Sequence, residues 1–143
     1  MEINIIVDND RSWLLNTVRR LILMLKKKNF EINHIWVLPE KLSNLKGYKI
    51  TFWYLKIFGI LVFLKLVIFH FIILFANSLR GINSFKKLAN NHEIKYSYIK
   101  SLNDKRLFQE LKNSKKKYNL IFTNHIIHSR LLKLKNNFFI NKH

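Results

Sequence analysis

The sequence predicts an α/β fold, a Rossmann-like open, mostly parallel sheet with flanking helices and one long apolar helix inserted. Three observations predict it. Short β-branched runs alternate with stretches whose apolar residues recur every three to four positions, as strands alternate with helices. One Pro and three Gly leave few interruptions, which favours regular elements over a loop-rich chain. The 143 residues are 49% hydrophobic, enough for one core and too apolar for a disordered chain.

Residues 3–7 form the first apolar run, and Asp8-Asn9-Asp10 supplies turn and N-cap chemistry after it. Leu14, Val18, Leu21 and Leu25 then recur at helical spacing, and Lys26, Lys27 and Lys28 suit a helix C-terminus. Residues 32–38 read as a second strand, closed by Pro39, which completes a βαβ unit. The later part continues the pattern: a short helix at 85–89, a strand at 94–99 and a helix at 105–112. A strand at 118–123, a helical turn at 129–134 and a last strand at 138–141 follow.

The middle is less readable. Residues 49–55 fit a strand or a helix start, and residues 57–76 are almost wholly apolar, broken by Lys65 and His70. The stretch 51–76 has the roughly 20 residues that a bilayer crossing needs. A central Lys costs about 2.5–3.5 kcal/mol on an insertion scale on which each large apolar residue returns about 0.3–0.6, so insertion remains open. Lys residues precede the stretch and Arg80, Lys86 and Lys87 follow it, so flanking charge sets no orientation. Lys56 and Lys65 lie on opposite sides of a helix, so there is no single polar face. The reading adopted is a helix buried against the sheet or a partner subunit, with a membrane span through 51–76 as the alternative.

A formal net charge of +18 points first to nucleic acid or an anionic membrane surface. Lys outnumbers Arg by 20 to 6, and Lys, Asn, Ile and Phe dominate the chain. All four have A/T-rich codons, so a biased genome accounts for the charge without a partner. The absence of Cys excludes disulfides, thiol nucleophiles and Cys-based zinc sites. No signal peptide is read at the N-terminus, where Glu2 and Asp8 replace a basic region.

The chemistry-bearing residues lie near the other end. Tyr118-Asn119-Leu120-Ile121-Phe122-Thr123, the pair Leu131-Leu132, and Phe139-Ile140-Asn141-Lys142-His143 follow one another as strand, leucine pair and strand ending in Asn-x-His. This arrangement resembles the N-terminal domain of the folate-dependent formyltransferases. Residues 94–99 with Ser101-Leu102-Asn103, and Asp8-Asn9-Asp10-Arg11-Ser12-Trp13, resemble further loops of that family. The resemblance covers residues 1–40 and 82–143, with 42–80 as an apolar insertion, and the whole of 1–143 is read as one partial domain.

The resemblance implies 10-formyltetrahydrofolate as formyl donor and an amine acceptor, either methionyl-tRNA or a nucleotide-linked amino sugar. It implies Asn141 and His143 as catalytic residues and Asn124, His125, Ile126 and Ile127 as the folate-contacting loop. An amide donor stabilises the oxyanion that forms when an amine attacks the formyl carbonyl, and an imidazole moves the amine proton near neutral pH. In the family a Ser-Leu-Leu-Pro-like turn and a catalytic Asp follow Asn-x-His, and this chain contains neither. The expectation is a cytoplasmic protein truncated at its motif, with little or no transferase activity by itself.

Other residues receive plainer expectations. His125 and His128 are read as solvent-facing loop residues, and Asp8 and Asp10 as cap and turn residues. Trp13, Trp36 and Trp53 are read as core or interface, and Lys115, Lys116 and Lys117 as a solvated turn. The rival readings are a small membrane-associated protein with one hydrophobic helix and a basic nucleic-acid-binding module.

Overall fold

In the computed structural model, which describes residues 2–41, 45, 47–113 and 117–141, five strands form one all-parallel sheet. The elements follow the chain as β1 (Glu2–Asp8), α1 (Trp13–Lys27), β2 (Glu31–Leu38), α2 (Tyr48–Leu79) and α3 (Phe85–Asn91). They continue as β3 (Lys95–Tyr98), α4 (Lys105–Lys112), β4 (Lys117–Phe122), α5 (Ser129–Leu132) and β5 (Asn137–Asn141). The spatial order is β3-β2-β1-β4-β5, so the chain winds outward from β1 in one direction and then returns to wind in the other. That reversal, between β1 and β4, is the topological switch point of a doubly wound sheet.

Side-chain alternation along the strands builds two cores. Ile5, Val7, Ile35 and Val37 face α1 and α3, where they meet Leu15, Val18, Ile22, Phe85 and Leu88. Ile6, Trp36, Leu38 and Ile121 face α4 and α5, where they meet Leu107, Leu111 and Leu131. Both faces of β1 are therefore covered, which is why it reads, Asn4 apart, as an apolar run rather than an alternating pattern. The caps are local. Ser84 Oγ accepts from the Lys87 amide, and the Asp104 carboxylate accepts from the Arg106 amide, fixing the first turns of α3 and α4.

A polar chain, buried at Asn4 and Asn119 and half-buried at its ends, crosses the α4 side of the sheet. The Asn33 amide donates to Asn4, Asn4 to Asn119, Asn119 to Asn137, and Asn137 to the Leu111 carbonyl. The β1–β2 register slips between Ile3 and Asn4, so that Asn33 is an extra residue on β2. This bulge lets neighbouring Asn33 and His34 both reach Glu110 of α4, at 3.1 and 3.0 Å. His34 also bonds Ser97 and stacks on Trp36, with ring centroids 3.9 Å apart.

Several expectations change. The apolar helix is longer than the 51–76 stretch, and it is not buried. Ile50 and Asn77 are its only buried residues among those described, and its most apolar window is 0% buried. By length and composition it is the one described helix able to cross a membrane. Gly59 breaks it with φ 70° and ψ 168°, a conformation confined to glycine, so α2 is two helical legs joined at a bend. Trp36 is core, but Trp13 and Trp53 are exposed, with Trp13 resting near Phe69 of α2. Lys117 is not in a solvated turn. It is buried in β4 and paired with Glu2, its neighbour in register on β1, at 3.1 Å, while Lys115 and Lys116 lie outside the described residues.

Candidate functional site

Open α/β sheets bind ligands outside the carboxyl ends of their strands, at the switch point. Here that place lies between the segment after β1, residues 8–12, and the segment after β4, residues 123–127. Asp8 ends β1 with its carboxylate buried. It accepts from the Thr123 hydroxyl in a short hydrogen bond and from the Asn124 amide at 3.0 Å. Burial pushes the Asp8 carboxyl above its usual range, against the opposing pull of these two donors and of His125.

Asp10 has a separate task. Its carboxylate accepts from the Ser12 amide and hydroxyl and from the Trp13 amide, at 2.8, 2.6 and 3.1 Å, and so caps α1. The expected cap role holds for Asp10. Asp8 instead staples two chain segments 115 residues apart, which local sequence rules do not reveal.

His125 turns inward rather than toward solvent. Its Nε2 donates to the Pro39 carbonyl at 2.9 Å, lies 3.7 Å from Asp8, and its side chain is 13% exposed. The His125 amide donates to Thr123 Oγ1, and the Asn124 side chain donates to the Lys41 carbonyl. The loop after β4 is thereby tied to the ends of both β1 and β2. Within the expected folate-contacting set, Ile126 is exposed, Ile127 packs partly on the α4–α5 core, and Asn124 is exposed with its amide engaged. His128 is exposed, as expected.

Asn141 ends β5 in register with Ile121, so it sits level with the end of β4 and two residues short of Thr123. Phe139 packs on the α4–α5 core, and Asn141 leaves the strand on that same side. His143 lies outside the described residues.

Glu40, just past β2, adds a third carboxylate to this end of the sheet. Partial desolvation raises its carboxyl above the ordinary range, and the charges of Asp10 and Asp8 raise it further, with His70 of α2 acting in the opposite sense. A basic chain thus has an acidic mouth at its switch point, with α2 passing within electrostatic reach. Among the described residues no group of three His, Asp or Glu side chains is arranged to hold a metal ion.

A separate depression of about 320 Å³ lies along α4 and α5, lined by Leu102, Phe108, Arg130 and Leu131 among others. Arg130 covers the Phe108 ring there, 4.0 Å from its centre. No family model matches the chain, and no curated protein is significantly similar to it.

Proposed function

We propose that this chain is a formyltransferase-type domain whose ligand crevice is the carboxyl end of β1, β4 and β5. The observation that carries the reading is the level placement of Asn141 beside the loop 123–127, at the end of the sheet where such folds take ligands. The acidic mouth supports an amine acceptor. Asp8, Asp10 and Glu40 attract an ammonium group and repel phosphate, which weighs against nucleic-acid binding at this end.

The donor, 10-formyltetrahydrofolate, supplies an activated formyl carbon. The fit of the loop to it is partial: Asn124 and Ile126 are exposed, whereas His125 Nε2 is committed to Pro39. In the transfer, the amine nitrogen bonds to the formyl carbon, the bond from that carbon to folate N10 breaks, and the amine proton ends on N10. Asn141 is assigned the donation of an amide N–H to the developing oxyanion. His143 is assigned the proton transfer, a role that rests on the sequence resemblance.

Binding of 5-formyltetrahydrofolate, a stable analogue of the donor, to the full chain in mild detergent tests this. Saturable binding that falls tenfold or more in Asn141→Ala and Ile126→Asp is expected. A folded chain that binds no reduced folate overturns the reading, as does binding indifferent to both variants.

A further inference from the structure

The strands on either side of α2 hydrogen-bond to each other. His34, Ile35, Trp36 and Val37 of β2 pair in parallel with Lys95, Tyr96, Ser97 and Tyr98 of β3, while α2 lies between them in sequence. A helix that crossed a bilayer once would leave β2 and β3 on opposite sides. The sheet forbids this. Whatever α2 enters, it must leave by the same face.

Its surface identifies what it enters. The exposed apolar residues occupy about two thirds of the helix circumference, as in Ile60, Leu61, Val62, Leu64, Leu66 and Ile68, and Phe63 and Val67 in the remaining sector are apolar too but half-buried. A protein partner covers one stripe and leaves a polar side, whereas lipid covers a helix all round. The charges agree. Between Glu40 and Glu93 there is no acidic residue, while eight Lys or Arg occur, clustered on both sides of the apolar run. Basic residues at both ends suit two ends held at one anionic surface.

The dimensions match one leaflet. Both ends are seated on the α/β domain, Ile50 by burial and Asn77 by burial and a bond from its amide to the Arg11 carbonyl at 3.2 Å. Phe69 rests near Trp13 at a ring separation of 5.4 Å, so residues beyond 69 run beside the domain. The free part of the first leg, from 51 to 58, is about 12 Å long and that of the second, from 60 to 68, about 14 Å, at 1.5 Å per residue. Half of a bilayer core is about 15 Å. Lys56 and Lys65 keep the insert shallow, because their stems must carry the ammonium groups back to the headgroups.

We propose that α2 is a re-entrant insert that enters and leaves one leaflet of an anionic bilayer through the same face. It tethers the α/β domain there.

The chain has no Cys, so single-cysteine variants report cleanly. The test uses the full chain with vesicles of phosphatidylcholine and phosphatidylglycerol. We expect the protein to float with these vesicles, and far less with phosphatidylcholine alone. Leu61→Cys carrying a fluorophore should be quenched by spin labels in the acyl chains. Lys28→Cys and Asn103→Cys, before and after α2, should both react with an impermeant thiol reagent added outside. Leu61→Asp with Leu64→Asp should abolish flotation while near-ultraviolet dichroism stays unchanged. Protection of one flanking cysteine from the external reagent overturns the proposal in favour of a span. Failure to float overturns it too, and a dimeric mass under those conditions assigns the helix to a second copy of the chain.

Discussion

Asn4 donates from its amide to the carboxamide oxygen of Asn119 at 2.9 Å, across the two central strands, and both side chains are fully out of water. The bond is one step of the chain that runs from Asn33 to the Leu111 carbonyl. A parallel sheet buried on both faces has little amphipathic pattern to fix its register, since a slip still leaves apolar side chains inside. A buried amide that finds its partner in only one register supplies that information.

Removing the middle of the chain is therefore expected to be costly. Asn119→Ala leaves the buried Asn4 donor without its acceptor, at about 1–3 kcal/mol, and the half-buried Asn137 acceptor without its donor at a smaller cost. A loss on the order of 2–4 kcal/mol in a denaturant titration followed by near-ultraviolet dichroism is expected. A change below about 0.5 kcal/mol would mean that the ladder is incidental.

Asp8 offers a second measurable effect. Asp8→Ala removes the acceptor for Thr123 and Asn124, with an expected loss of about 2–3 kcal/mol and faster amide exchange at residues 123–125. Asp8→Asn should cost less. Because burial raises the folded pKa, the ionised form is disfavoured in the native state, and stability is lost as pH rises from about 3.8 through the folded value. The Asn variant should lack that slope. Equal losses in both variants would count against this account.

His34 sets a pH dependence in the opposite direction. Burial lowers its pKa below the ordinary 6.5, outweighing the Glu110 carboxylate at 3.0 Å, with Lys95 and Lys117 adding to the lowering. Above 6.5 both folded and unfolded states are neutral and the stability is intact. As pH falls below 6.5 the unfolded chain takes its proton first, so stability declines. His92 shares the sign, being lowered by burial and by Lys26 and Arg19. The diagnostic is consequently a difference: the fall in Tm between pH 7.5 and 5.5 should be smaller in His34→Gln. An unchanged slope would place the effect elsewhere.

Gly59 should control the bend in α2. An Ala there must hold a φ that costs about 1–3 kcal/mol, although its Cβ meets nothing within 4 Å. The cheaper response is to straighten the helix. Spin labels on Phe52→Cys and Leu66→Cys are expected to move apart in Gly59→Ala, as read by dipolar distance measurement. An unchanged distance would assign the bend to packing rather than to the glycine.

The architecture was readable because its signals are local. Alternation of apolar runs and helical periodicity placed nine of the ten elements to within a few residues and left only the start of α2 open between strand and helix. The rest depends on distant partners. His125 looked like a loop residue because its acceptor, the Pro39 carbonyl, is 86 residues away in sequence. Asn4, Asn119 and Asn137 were hidden among many Asn in a chain of A/T-rich composition, where an Asn carries little positional information. Lys117 read as the end of a basic run because Glu2, its partner, becomes a neighbour only when β1 and β4 pair. The helix α2 was expected to be buried because apolar residues usually are, and nothing in its own sequence says whether protein is there to cover it.

The position of α2 also dictates an order of events during synthesis. When Leu79 is made, only β1 and β2 exist, since β1's other neighbour begins at Lys117. At about 5–20 residues per second, the ~38 residues between them take roughly 2–8 s. For that interval a largely apolar segment accompanies a partial sheet of β1 and β2, joined midway by β3, that still lacks β4 and β5. The apolar surface of α2 is therefore complete before the sheet that seats both of its ends, so it is exposed earliest in the life of the chain.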